Sequence, residues 1–122
     1  MTLRGADKLA GVHPDLVRLI ERVALRFPIV VLEGLRTKER QAQLVLEGKS
    51  KTLNSKHLVG RAIDVAPDPI DWNDIKRFAA MGGYIVATAE ALEIGVTWGG
   101  DWNRNWDFKD QSFHDLPHIE LI

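Results

Sequence analysis

Three side chains in this 122-residue sequence have the identity of catalytic zinc ligands: His57, Asp64 and His118. Two imidazoles and a carboxylate are borderline donors, and three protein ligands leave a fourth coordination position open for water. A spare carboxylate, Asp115, lies three residues before His118 and can handle the proton of that water. A metal site with its own base points to hydrolysis. The other reading, a closed structural zinc, is weak because such sites usually have four ligands and many cysteines, and this chain has no cysteine.

The elements that carry these residues must solve a spacing problem. His57 and Asp64 are an odd number of residues apart, so one continuous strand would send them to opposite faces. Gly60 lies between them and can supply a tight turn. After that turn, Arg61 to Ala66 reads as a short strand with Ala62, Asp64 and Ala66 on one face and Ile63 and Val65 on the other. The last residues repeat the pattern, with His118 and Glu120 on one face and Ile119 and Leu121 on the other. Two such strands would bury aliphatics on one side and offer ligands on the other.

The rest of the chain supplies the scaffold. Leu16, Leu19, Ile20, Val23 and Phe27 have helical spacing, so a helix is expected from Pro14 to Phe27, ended by Pro28. Ile29 to Glu33 is an apolar, β-branched strand candidate, and Thr37 can cap a helix to about Glu47 with Gly48 as its stop. A polar loop then leads to Lys56. Asp71 is expected to cap a long helix with Ile75, Phe78, Ala79, Ile85, Val86, Ala89 and Leu92 as its buried stripe, and Gly82-Gly83 to split or kink it. Gly95 closes that helix, Val96 to Trp98 reads as a short strand, and residues 99–115 as a loop over the site. The fold class is therefore α+β, a small antiparallel sheet with packed helices.

Ser55-x-His57-x-x-Gly60-x-Ala62-x-Asp64, followed by Asp115-x-Pro117-His118-x-Glu120-Leu121, resembles the M15 zinc peptidases. That group includes D-alanyl-D-alanine carboxypeptidases and dipeptidases, and the phage endolysins that cut the L-alanyl-D-glutamate bond of peptidoglycan. Gly34-Leu35-Arg36-Thr37 with Gln41 is similar to a second segment of the family, and Trp98-Gly99-Gly100-Asp101-Trp102 to a run found in the phage branch. Leu35 stands where the carboxypeptidases have a tyrosine, which leans toward the endolysins. The resemblance covers roughly residues 30–122.

Carried over, it implies the DD-peptidase (M15/hedgehog-type) fold and one zinc per chain held by His57, Asp64 and His118. It makes Asp115 the general base, and Arg36 the contact for a substrate carboxylate or the developing oxyanion. Ser55 and Gln41 would line the substrate site. Glu120, on the ligand face, competes for the base role but is preferred as a group that orients a ligand. The implied activity is a zinc-dependent endolysin that hydrolyses a stem-peptide amide, L-alanyl-D-glutamate first. The rivals are a D-alanyl-D-alanine carboxypeptidase or dipeptidase, and a zinc-stabilised binding module without turnover.

Other residues have plainer readings. His13, before Pro14, reads as a helix-start or surface residue, and His114 as a solvated loop residue rather than one facing substrate. Asp101 would brace the Gly99-Gly100 turn, and Trp98, Trp102 and Trp106 would form a packed wall beside the site. Sixteen basic against 17 acidic side chains give a net charge of −1, which offers no support for nucleic-acid binding. No stretch approaches the ~20 apolar residues of a membrane span, and the first residues, with Arg4, Asp7 and Lys8, lack the apolar core of a signal peptide. A single monomeric catalytic domain over 1–122 is expected, without a separate wall-binding domain. The resemblance would keep it in the host bacterial cytoplasm until a holin pore gives access to the wall.

Overall fold

The computed structural model describes residues 3–107, 109 and 114–122. Five strands form one sheet: β1 (Leu3–Arg4), β2 (Ile29–Glu33), β3 (Ala62–Pro67), β4 (Val96–Trp98) and β5 (His118–Leu121). Their order across the sheet is β1-β2-β3-β5-β4. The pairs β2–β3, β3–β5 and β4–β5 are antiparallel, as expected. The edge strand β1 was not anticipated and pairs with β2 in parallel, so the sheet is mixed.

The alternation read from the sequence is present. In β3 and β5, Ile63, Val65, Ile119 and Leu121 are buried in the core. Across the two strands Asp64 stands opposite His118 and Ala62 opposite Glu120, which puts the polar side chains together on the other face. Helices α1 (Pro14–Val23) and α3 (Ile75–Ala91) pack against each other and supply Leu16, Leu19, Ile20, Val23, Phe78, Met81 and Ile85 to the same core.

Helix α1 stops at Val23 rather than Phe27. Leu25 and Arg26 donate to carbonyls only three residues back, so the last turn tightens before Pro28. His13 is its cap, with Nδ1 accepting from the Asp15 N–H at 3.0 Å. Helix α2 (Lys38–Leu46) begins as expected, with the Thr37 hydroxyl accepting from Arg40 N–H at 3.0 Å.

Helix α3 differs from expectation in four respects, the first being its end, which falls at Ala91 with Glu93 at φ 59 and not at Gly95. Its cap is Asp74, whose Oδ1 accepts from Arg77 N–H, while Asp71 holds the preceding turn through Asn73 N–H. Ile75 is 55% exposed in the first turn and lies outside the buried stripe. The helix also runs unbroken for 17 residues through Gly82-Gly83. Gly82 is there for packing: a Cβ at this position would stand 2.2 Å from the buried indole of Trp98. Gly82→Ala is therefore expected to destabilise the fold although alanine favours helix by up to ~1 kcal/mol. Overpacking costs about 1–3 kcal/mol, so thermal unfolding should shift down by several degrees. A Tm at or above that of the wild type would mean that Trp98 gives way freely.

Candidate metal centre and its cleft

The spacing problem is solved outside the sheet. His57 sits on a single 3-10 turn, Lys56–Val59, capped by the Ser55 hydroxyl, which accepts from His57 N–H at 3.2 Å. Gly60 then reverses the chain at φ 72, and a Cβ there would come within 2.4 Å of the Gly11 carbonyl oxygen. The chain enters β3 and delivers Asp64 beside His118 on the neighbouring strand. Ligand atoms of His57, Asp64 and His118 lie within 4.8 Å of one another.

Each imidazole is held by one nitrogen and offers the other. His57 Nδ1 lies 2.9 Å from the carbonyl oxygen of Gly34, which can only accept, so Nδ1 carries the proton and Nε2 a lone pair. Nε2 is buried, has no hydrogen-bond partner, and stands 3.4 Å from Asp64 Oδ1. In His118 the roles are exchanged. Its Nε2 is held by Glu120 Oε1 at 2.8 Å, and Nδ1 stands 3.3 Å from the same Asp64 oxygen. Glu120 is held in turn by Lys56, 2.9 Å from its other oxygen. A buried polar atom with no partner costs ~1–3 kcal/mol, and a cation bound between these three residues would satisfy it. The residues fit a metal.

The charges are strongly interdependent. Burial disfavours ionised Asp64, yet the bond to His118 and the closeness of the His57 ring outweigh it and hold its pKa far below the usual carboxylate range. Burial likewise opposes charge on His118, but Asp64 and Glu120 raise it to about 9. The His118 bond outweighs burial at Glu120 and lowers it to about 2. Asp115 moves the other way: burial, then repulsion from Asp64, raise its pKa.

A cleft of about 570 Å³ opens on the centre, lined by Asp115, Arg36, Glu33 and Trp102 and by the polar segment from Gly48 to Lys56. Asp115 reaches it from the turn before β5. Its N–H donates to the Gly99 carbonyl and its own carbonyl accepts from His118 N–H. Arg36 is 8% exposed and its guanidinium is already engaged. Nε and Nη2 hold the two oxygens of Glu33 at 2.8 and 2.7 Å, Nη1 holds Gln41 Oε1 at 2.7 Å, and Nη2 also reaches Asp64 Oδ2 at 3.5 Å. Of the five N–H groups of a guanidinium, one remains, on Nη1. A two-pronged grip on a substrate carboxylate is thus not open to it.

Gln41 does not line the cleft as expected. It is 1% exposed behind Arg36, and its amide donates to Ser50 Oγ and the Thr52 carbonyl. Ser55 does face the cleft, with its hydroxyl engaged as the cap of the His57 turn. The expected tryptophan wall reduces to Trp102, whose ring lies 5.5 Å from that of His118. Trp98 is core, with Nε1 donating to the Leu116 carbonyl, and Trp106 is 51% exposed near Gly83 on a separate, smaller cavity. Asp101 braces the glycine turn as expected, its N–H donating to the Trp98 carbonyl at 3.0 Å, and its carboxylate also holds the loop after it, accepting from Trp106 and Asn105 N–H. His114 is exposed. Of the loop expected over the site, residues 108 and 110–113 lie outside the described residues. Sequence reasoning missed Glu33 and Lys56, which hold Arg36 and Glu120; a charged residue ending an apolar strand three positions before Arg36 was the available sign of the first.

The family model for phage L-alanyl-D-glutamate peptidase matches residues 1–122. The chain belongs to that family. It is 33% identical over 126 residues to the L-alanyl-D-glutamate peptidase of Escherichia phage T5, covering 94% of this chain and 92% of that one. The crystal structure of the Serratia marcescens L-Ala D-Glu endopeptidase ChiX is similar over the whole chain and 89% of ChiX, with 39% identity and a TM-score of 0.81. The D,D-pentapeptidase VanY, 16% identical with a TM-score of 0.53 over 88% of this chain and 68% of that one, shares the fold. The expected M15-type α+β architecture is therefore present in this member of the phage peptidase family.

Proposed function

We propose that this chain is a single catalytic domain, a zinc-dependent peptidoglycan peptidase that hydrolyses the L-alanyl-D-glutamate bond of the stem peptide. One observation carries the reading: two imidazoles are each tied back by one nitrogen so that His57 Nε2 and His118 Nδ1 converge on one oxygen of Asp64. Two nitrogens and a carboxylate suit zinc, and three ligands are the number found in catalytic rather than structural sites. Membership of the family supplies the bond. When bound, zinc acts as a Lewis acid that activates water and polarises the scissile carbonyl.

The protein's own groups divide the remaining work. Asp115 takes the proton of the attacking water and returns it to the leaving amine. Glu120 holds His118 in orientation, since both of its oxygens are occupied, by His118 and by Lys56. Arg36 offers its last N–H toward the developing oxyanion, while Ser55 fixes the His57 turn and Gln41 fixes Arg36. Among the described residues no helix is long and apolar enough to cross a membrane.

Digestion of purified muropeptides, with and without chelator, tests the proposal. The expected products carry a new L-alanine carboxyl terminus, about one zinc is bound per chain, and chelation stops the reaction. Release of free D-alanine would favour carboxypeptidase action instead, and full activity in metal-free protein would remove zinc from the mechanism.

A further inference from the structure

Glu33 should not face the metal centre at all by simple alternation. In β2, Ile29 and Val31 point into the core, and the next residue of that set is Glu33. The register between β2 and β3 slips here: Val31 pairs with Val65 but Glu33 pairs with Asp64, one residue on. Such a bulge adds one residue to one strand and turns the residues beyond it to the other face. It brings two carboxylates opposite each other across the sheet, which is unfavourable unless a cation lies between them. Arg36 is that cation, with two short bonds to Glu33 and one longer contact to Asp64 Oδ2. Asp64 Oδ1 is left facing both histidines.

We infer that Glu33 is a positioning residue for the metal centre: it holds the Arg36 guanidinium so that the arginine braces only the outer oxygen of Asp64 and leaves the inner one for the cation. The inference rests on the proposed metal reading. Arg36 alone would be a competitor. A guanidinium fork matches a carboxylate with two parallel bonds, and an Arg36 released from Glu33 could take both oxygens of Asp64. Its positive charge would also stand near the cation with nothing to offset it. Gln41 anchors Nη1 but carries no charge, so it cannot replace Glu33. Arg40, 3.9 Å from Glu33 Oε1 and half exposed, is too loosely placed to substitute for Arg36.

The sign of this coupling separates it from a general loss of structure. Zinc affinity is measured by competition with a chromophoric chelator, without substrate, on the whole chain and three variants. Glu33→Gln should bind zinc about 10–100-fold more weakly, the range for groups that orient metal ligands. Arg36→Gln should lose less. The double variant should bind more tightly than Glu33→Gln alone and return to within a few-fold of Arg36→Gln, because the competitor has gone with its restraint. Should Glu33→Gln not fold, the same comparison is made with Glu33→Asp, which shortens the reach to Arg36 and should show the same recovery at smaller amplitude. Unchanged affinity in the Glu33 variant, or a double variant as weak as the single one, overturns the inference while leaving a zinc-binding wild type intact. A wild-type chain that binds no zinc overturns the metal centre and this inference together.

Discussion

Asp115→Ala is expected to keep its zinc and its fold and to hydrolyse substrate about 10²–10⁴-fold more slowly, the usual worth of a positioned general base. Three observations set that outcome. The carboxylate lines the cleft, and among the described residues it has no hydrogen-bond partner, so its removal breaks no bond. Its charge is opposed by burial and by Asp64, so losing it relieves a repulsion. The backbone that places it survives the substitution, because the turn is held by main-chain bonds to Gly99 and His118 and by the fixed φ of Pro117. Glu120 cannot take over, since both of its oxygens are engaged. Metal content and rate measured on the same preparation decide the matter. An Asp115→Ala enzyme that still turns over, beside a Glu120→Ala enzyme that is dead with zinc retained, would exchange the two roles.

His118→Ala should do the opposite and lose the metal first. Four-ligand zinc sites bind with roughly 10–16 kcal/mol, so one ligand is worth on the order of 10²–10³ in affinity. The loss spreads beyond the cation. His118 is the group that keeps Asp64 and Glu120 ionised, so its removal leaves two partly buried carboxylates without their shared partner. The metal-free variant should therefore also melt below the metal-free wild type, whereas Asp115→Ala should not. A His118→Ala chain that binds zinc as tightly as the wild type would remove His118 from the ligand set.

Much of the centre was legible because its residues obey short-range rules. Gly60 announced a reversal between His57 and Asp64, and period-two alternation put His118 and Glu120 on one face and the aliphatics on the other. Thr37 and Gly48 marked the ends of α2 for equally local reasons. The misreadings share a different origin. Glu33 was hidden because one bulge cancels the alternation that a sequence displays. Asp71 and Asp74 are chemically equal as caps, and only the fold distinguishes them: Asp71 accepts from Asn73 N–H in the preceding turn while Asp74 accepts from Arg77 N–H. Gly82-Gly83 reads as a break because the indole that requires Gly82 to lack a side chain is carried by a different element, the strand of Trp98. Arg36 reads as a free hand for substrate because only the fold shows that Glu33, turned by the bulge, and Gln41, on the next helix, already engage most of its N–H groups.

The order of the sheet has a consequence for how the protein is made. β5 comes last of the strands in sequence yet lies between β3 and β4. A nascent chain that has released everything through β4 has two strands with a gap between them, each showing an unpaired edge of the kind that invites aggregation. It also lacks His118. Arrival of β5 closes the gap and brings His118 beside Asp64 in a single event, so completion of the sheet and assembly of the His57–Asp64–His118 group are one step. On the proposed zinc reading, a chain still lacking β5 is expected to be without hydrolytic activity.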